Sequence, residues 1–171
     1  MATPAKLDAV ALLKADHRKV EDLFAQFEAA KGDGRKKSLA EQICLELTVH
    51  AKIEEDVFYP ACEGAVDEDL LKEAYVEHDG AKVLIAEIEA GGPDDAFYDA
   101  KVKVLSEQIA HHVEEEEKRV EGMFSQARKA GLDMDALGER MAAEKAELTK
   151  AYKAGGLPKP EAPRLAATTL A

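Results

Sequence analysis

The chain lacks tryptophan, and only 5% of its 171 residues are aromatic. Clusters of β-branched residues are also scarce, while runs rich in Ala, Glu and Lys are long, which argues against a β-sheet. No apolar run approaches the roughly 20 residues that a membrane helix needs. The N-terminus has no basic start followed by an apolar block, so we expect no signal peptide. These absences favour an all-α protein of the cytoplasm.

Cysteine is nearly absent as well, with Cys44 and Cys62 as the two in the chain. If both lie on one helix, with a rise of about 1.5 Å per residue, they are roughly 27 Å apart, too far for a disulfide. We therefore expect reduced thiols, which agrees with a reducing compartment.

Positive charge is in the minority, since 23 Lys and Arg residues stand against 35 Asp and Glu residues, a formal net charge of -12. Such a chain repels nucleic acids and anionic membranes, so we expect neither as a partner. The same excess of carboxylates suits a protein that binds cations.

Turn signals divide the chain into long helical segments. The strongest is "AGGPDD" (Ala90–Asp95), with paired glycines, a proline and acidic residues. Four segments of helical periodicity remain, at Leu7–Ala30, Arg35–Cys62, Asp67–Glu89 and Asp94–Glu121. Because the connections are short, this pattern predicts an antiparallel up-down-up-down four-helix bundle.

We assign residues 1–130 to this bundle. A further amphipathic helix is predicted in residues 131–154, with Asp133 or Asp135 as its N-cap. Residues 155–171 are rich in Pro, Gly and Ala, and we expect a disordered tail there. The fold prediction is therefore a four-helix bundle with an additional C-terminal helix.

Each predicted bundle helix has a histidine on its inward apolar stripe, near its middle. On the second and fourth helices a glutamate follows the histidine four positions later, on the same face. The stripe of the fourth helix comprises Val102, Leu105, Ile109, His112, Glu116 and Val120. Mid-helix positions of an antiparallel bundle converge on one level of the core, so we expect these polar side chains to meet.

Buried carboxylates are costly unless they are paired or bind a metal. Metal cations would supply the counter-charge directly, and protonated His–Glu pairs are the alternative. Nitrogen and oxygen donors suit iron, manganese or zinc. A ferritin-like di-iron bundle is disfavoured, because no histidine here has a glutamate three positions before it.

At these positions the chain resembles bacterial hemerythrin-like proteins, the HHE cation-binding type. Four stretches carry the resemblance, namely "LLKADHRKVEDLF", "VHAKIEEDVFYP", "VEHDGAKVLIAEIE" and "HHVEEEEKRVEGMFSQARKAGLDMDALGERM". It implies a non-haem centre of two iron ions, oxo- or hydroxo-bridged, in a four-helix bundle. The ligands that it implies are His17, His50, Glu54, His78, His112 and Glu116.

One position departs from the pattern of the invertebrate oxygen carriers in that family. They have a second histidine one turn after the ligand on the third helix, where this chain has Lys82. The departure argues against reversible oxygen carriage, and a water or another side chain would fill the place. Bacterial members of this carboxylate-rich kind imply a protein that binds, senses or reacts with oxygen, peroxide, nitric oxide or iron.

Two other functions stay open. One is a di-iron enzyme of the peroxidase or nitric oxide reductase type, although the sequence shows no separate acid–base constellation. The other is a helical interaction or stress protein whose core histidines bind no metal. We expect a metal-binding or sensing protein rather than a dedicated enzyme, with a small diatomic molecule or peroxide as its partner.

The run "HHVEEEEKRV" leaves a choice of ligand. His111 is five positions before Glu116, so it is an alternative to His112. Glu55 and Glu117 directly follow the two glutamates of the site, and one residue turns about 100° around a helix. We therefore expect Glu55 and Glu117 outside the ligand set.

Two more neighbours have two interpretations each. Tyr75 lies one turn before His78, where it either packs in the core or lines the metal pocket. Asp16 either orients a ligand histidine through its other ring nitrogen or lies on the helix surface.

Overall fold

In the computed structural model, which describes residues 7–165, helices are the regular secondary structure and these residues include no strand. Helix α2 runs over Asp33–Ile53, continues through a π-helical turn, Glu54–Phe58, and ends with Tyr59–Cys62. The other helices are α1 (Ala9–Ala29), α3 (Glu68–Gly91), α4 (Tyr98–Glu117), α5 (Met123–Lys129) and α6 (Met134–Gly155). Over the described residues, none of the helices combines the length and apolar character needed to span a membrane.

The first four helices close a bundle. Helix α1 packs against α2, α2 against α3, α3 against α4, and α4 returns to α1. Helix α6 packs on the outside of α1 and α2. Gly138 permits this close approach, because a Cβ atom there would lie 2.6 Å from the carbonyl oxygen of Leu7. The predicted all-α bundle with an additional C-terminal helix is confirmed.

Aspartates begin three of these helices. The carboxylates of Asp8, Asp67 and Asp133 each accept a hydrogen bond from the backbone N–H three residues later, at 2.8, 2.9 and 3.0 Å. Such N-caps stabilise a helix by about 1 kcal/mol each. Of the two predicted caps for the last helix, the structure uses Asp133.

Helix α4 is shorter than its predicted segment Asp94–Glu121. It begins at Tyr98, because the carbonyl of Asp95 accepts the N–H of Tyr98 at 3.0 Å and forms a turn. A second hydrogen bond at 2.9 Å, from the N–H of Phe97 to the carboxylate of Asp95, holds the same turn. The acidic residues after the paired glycines therefore stabilise the loop.

At the C-terminal end of α4, the prediction that Val120 faces the core is wrong. Lys118 leaves the helical region, with φ -47° and ψ 130°, so the chain turns away from the bundle axis. Val120, predicted on the inward stripe, is consequently 80% exposed. Gly122 closes the turn before α5, and a Cβ atom there would lie 2.4 Å from the carbonyl oxygen of Lys118.

The core consists of two apolar clusters with a polar layer between them. On α1, Leu13 belongs to one cluster and Val20 to the other, with His17 between them. The histidines of α2 and α3 lie at the same boundary. Each fully buried Leu, Ile or Phe contributes about 1.5–3 kcal/mol of transfer free energy. The apolar clusters above and below thus hold the polar layer in place.

Candidate metal centre

The six residues implied as metal ligands all lie in this layer, and none is more than 6% exposed. Their donor atoms form two groups in which all atoms lie within 4.8 Å of one another. Group one contains His17, His50, Glu54 and Glu116, and group two contains Glu54, His78 and His112. The structure therefore brings all six together from four different helices.

Group one is built around two facing imidazoles. The Nε2 atoms of His17 and His50 are 3.2 Å apart. Glu116 Oε2 lies 3.2 Å from the Nε2 of His17, and Glu54 Oε2 lies 3.3 Å from the Nε2 of His50. Two nitrogens and two carboxylates thus surround one point.

Group two repeats this arrangement one step across the bundle. The Nε2 atoms of His78 and His112 are 3.2 Å apart. Glu54 Oε2 lies 3.1 Å from the Nε2 of His78, and Glu116 Oε1 lies 3.3 Å from the Nε2 of His112. Glu54 and Glu116 each reach both pairs of histidines, as carboxylates shared by two cations would.

All four imidazoles are oriented by a carboxylate behind them. The Nδ1 of His17 lies 2.6 Å from Glu117, and that of His50 lies 3.3 Å from Asp16. The Nδ1 of His78 lies 3.0 Å from Glu55, and that of His112 is hydrogen-bonded to Glu77. Because an ionised carboxylate only accepts hydrogen bonds, each Nδ1 carries a proton. The lone pair of a neutral imidazole is then on Nε2, facing the centre, as for metal-binding histidines.

Lys82 lies in this outer layer. Its Nζ donates to both oxygens of Glu55, at 2.8 and 3.0 Å, and Glu55 in turn accepts from His78. Burial disfavours the ionised carboxyl of Glu55, but His78 and Lys82 outweigh it and lower its pKa to about 2. Lys82 thus stabilises the carboxylate that orients His78.

The structure also decides between the two interpretations given for Asp16 and for Tyr75. Asp16 is 5% exposed and orients His50 on the next helix, while its other oxygen accepts from Lys145 of α6. Tyr75 packs the edge of its ring against Tyr59, with 5.2 Å between centroids. Tyr75 is therefore a packing residue behind the site.

Tyr59 was not among the predicted site residues, yet it is completely buried at the centre. Its hydroxyl oxygen lies 2.9 Å from Glu116 Oε1 and 3.2 Å from Glu54 Oε2, and its single proton can be donated to either carboxylate. The same oxygen lies 3.1 Å from the Nε2 of His78 and 3.3 Å from that of His112. Tyr59 therefore contacts every donor of group two.

The π-helical turn brings Tyr59 into this position. The backbone N–H of Tyr59 bonds to the carbonyl of Glu54, five residues earlier, so Tyr59 lies directly above Glu54. In an α-helix, five residues would turn its side chain about 140° away. Pro60 was the available signal, since a proline inside a helix lacks the N–H for the bond to Asp56. Such π turns are frequent at functional sites.

The charges at the centre are strongly coupled. Burial opposes ionisation of Glu54, but the imidazoles of His50, His112 and His78 hold its pKa well below its usual range. Burial likewise disfavours protonated His50, yet the charge of Glu54 and the hydrogen bond of Asp16 raise the pKa of His50 to about 10. Without metal, the protons held by His50 and His112 offset the charges of the two carboxylates.

Two features of this centre fit metal cations better than protons. Among the residues that the structure describes, Glu54 Oε1 and Glu116 Oε2 are buried without a hydrogen bond, although Glu116 Oε2 lies 3.2 Å from the Nε2 of His17. A buried polar atom without a hydrogen bond costs about 1–3 kcal/mol. In addition, the Nε2 atoms of both histidine pairs point at each other, so each pair can share only one proton between them. A cation between the paired nitrogens satisfies both.

The pair His111 and His112 allows a direct test of the ligand assignment. His112 is 4% exposed and belongs to group two, whereas the side chain of His111 is 63% exposed and lies 3.5 Å from Glu77. We expect His112→Ala to lower the metal content and His111→Ala to leave it unchanged. Metal analysis of the two purified variants checks this, and metal loss in His111→Ala alone would reverse the assignment.

Comparisons with known proteins agree with this geometry. Residues 8–124 match the family described as hemerythrin HHE cation binding domain. A DNA nickase of Nostoc sp. (strain PCC 7120) is 30% identical over 106 residues, which are 62% of this chain but only 30% of that protein. The chain thus spans less than a third of that relative.

A solved structure shows the same fold. It is the crystal structure of a hemerythrin HHE cation binding domain-containing protein from Mycobacterium kansasii, with a TM-score of 0.73 and 21% sequence identity. The likeness covers 88% of this chain and 95% of that one. Together with the buried His and Glu groups, the family match supports metal binding at this centre. Since the match extends over more than half of the chain, the protein belongs to the hemerythrin HHE cation-binding domain family.

Proposed function

We propose that the protein binds two iron ions in the polar layer and uses them to bind, sense or react with a small oxidant. The observation that carries this proposal is the convergence of four imidazole nitrogens and two carboxylates in two adjoining groups, where Glu54 belongs to both groups and Glu116 reaches a histidine of each. Dioxygen, peroxide and nitric oxide are the candidate ligands. Protein partners and nucleic acids have no part in this proposal.

The donor set fits this assignment. His17 and His50 would hold one iron, His78 and His112 the other, and Glu54 and Glu116 would serve both. Nitrogen and carboxylate oxygen donors suit iron. The unpartnered buried oxygens of Glu54 and Glu116 would find their partner in the cations. Each iron would supply a redox couple and a coordination position that a small molecule can take.

The residues around the irons limit what the centre can do. Lys82 pairs with Glu55, so the place of the extra histidine in the oxygen carriers has no imidazole. The hydroxyl of Tyr59 lies beside His78 and His112 instead, where it can donate a hydrogen bond or bind as a phenolate. Burial, together with the charges of Glu116 and Glu54, raises the pKa of Tyr59 well above its usual value, so it is a neutral donor until a cation displaces its proton.

The test is to load the protein with ferrous iron anaerobically and to record optical spectra after adding dioxygen, hydrogen peroxide or nitric oxide separately. We expect at least one of them to give new charge-transfer absorption in proportion to the bound iron. No spectral change with any of the three would refute the proposed function. Many cycles of peroxide or nitric oxide consumption would favour the enzyme over the sensor, whereas a single stoichiometric oxidation favours the sensor.

Tyr59→Phe separates the role of the hydroxyl from that of the ring. We expect iron to remain bound, and any visible absorption from a ferric phenolate to disappear. In the metal-free protein, loss of the donor to Glu116 and Glu54 should lower the free energy of unfolding by about 1–3 kcal/mol. Optical spectroscopy and urea denaturation measure the two effects. An unchanged spectrum and unchanged stability would show that the hydroxyl does not act at the centre.

A further inference from the structure

A cavity of about 680 Å³ lies beside the metal centre. All four histidines of the centre border it on one side, and the chain that follows α6 covers it on another. Its walls are largely apolar, with Leu47, Ile85 and Ile109 among the lining side chains. We call residues 157–165 the C-terminal strap, and Leu157 through Glu161 form its part of the wall.

The strap is held by a specific contact. The backbone N–H of Arg164 donates to Asp79 Oδ2 at 2.8 Å, and its guanidinium Nη1 lies 3.4 Å from Asp79 Oδ1. The same guanidinium lies over the ring of Tyr75, 4.4 Å from the centroid. Asp79 is completely buried, so its carboxylate needs these partners. The expected disordered tail thus begins with a bound stretch, and residues 166–171 lie outside the described part of the chain.

The contact is connected to the metal centre through a short chain of charges. Asp79 directly follows His78, and Lys82 Nζ lies 3.5 Å from Asp79 Oδ1. Lys82 also holds Glu55, which orients His78. If the strap leaves, Asp79 keeps only Lys82 among these partners, so opening has a definite energetic cost.

We propose that the C-terminal strap is a gate, latched by Arg164, that controls the entry of small uncharged molecules into this cavity. The apolar walls favour molecules such as dioxygen or nitric oxide over anions. The cavity then delivers them to the side of the centre where the four histidines are exposed to it. This inference rests on the proposed function for its biological use, but the gate itself can be tested without metal.

The experiment compares Arg164→Ala, a chain ended after Gly156 and the control Arg35→Ala. Arg35 also makes a side-chain hydrogen bond, at 2.9 Å to Gln26, but it lies at the start of α2 and does not line the cavity. The first probe is nitric oxide, whose binding rate to the ferrous protein is measured by stopped flow. Loss of the latch should raise this rate by about tenfold or more in the first two variants. The control should match the wild type.

The second probe is xenon, which enters apolar cavities and needs no metal. Its exchange rate in the metal-free protein, measured by xenon NMR, should rise in the same two variants and stay unchanged in Arg35→Ala. Circular dichroism shows that each variant is folded. If the nitric oxide binding rates or the xenon exchange rates are equal in the wild type and all three variants, the proposal that the strap is a gate is wrong. If the wild type binds no iron, the proposed function fails, and the xenon rates still decide whether the strap is a gate.

Discussion

Replacing Glu54 by glutamine is expected to remove most of the bound metal while leaving the bundle folded. Glu54 belongs to both ligand groups, and it is completely buried. Glutamine keeps the volume, but it offers a single neutral oxygen in place of a charged carboxylate. Loss of an outer partner alone costs about 10–100-fold in metal affinity, so loss of a shared ligand should cost more than that.

Metal content per chain after dialysis against a weak chelator measures this effect. The matched control is Glu114→Gln, which removes the same charge from an exposed position in the same glutamate run as Glu116. We expect the control to keep its full metal content and circular dichroism to be the same for both variants. Full metal occupancy in Glu54→Gln would contradict the shared position of Glu54.

Metal affinity should fall steeply as the pH is lowered, although the carboxylates of the centre stay ionised. The charge of Glu54 and the hydrogen bond to Asp16 overcome burial and raise the pKa of His50 to about 10. Burial also opposes protonation of His112, but mainly the charge of Glu116 raises its pKa well above the ordinary value. At neutral pH a metal must therefore displace one proton from His50 and one from His112.

The direction of the change in metal affinity with pH follows from this exchange of protons for metal. Below their raised pKa values His50 and His112 each hold an extra proton, so metal affinity rises as these protons are removed and falls as they are added. Each displaced proton changes the affinity by about tenfold per pH unit, so two protons give about 100-fold per unit between pH 6 and 8. Anaerobic ferrous titrations against a competing chelator at pH 6.5 and 7.5 measure the slope. An affinity that does not change with pH would show that the imidazoles are not the groups displaced.

Most of the fold was predictable because its signals are local. Turn residues such as those of Ala90–Asp95 and the 3.6-residue periodicity determine where helices can form. The ends of α4 were less predictable, because Asp95 stabilises a turn and Lys118 leaves the helix for reasons that depend on loop conformation. Val120 was assigned to the core only because periodicity continues past the point where the helix stops.

The inward histidines and glutamates of the centre were predictable for the same reason, since spacing of four residues places His112 and Glu116 on one face. Tyr59 was not, because its position depends on a turn of five residues, which periodicity of 3.6 places on another face. The pairing of carboxylates with histidines was predictable only in part, since orienting a ligand histidine was one of two interpretations of Asp16 and the histidine concerned was not identified. Asp16 orients His50 on the neighbouring helix, a contact between residues 34 positions apart.

The contacts of the C-terminal strap were not predictable either, because they also join residues that are far apart in the sequence. Arg164 and Asp79 are 85 positions apart, and the strap itself has no helical periodicity. Its composition predicts disorder, while its single arginine meets a buried carboxylate that only the folded bundle creates. Local composition therefore cannot indicate this contact.

We expect the polar layer to be a metal centre and not a core neutralised by protons. The most direct test is the iron content of protein purified from iron-replete cells, determined together with the protein concentration by amino acid analysis. We expect two iron ions per chain, one for each ligand group. Folded protein with well below one iron per chain, also after anaerobic reconstitution with ferrous iron, would contradict it.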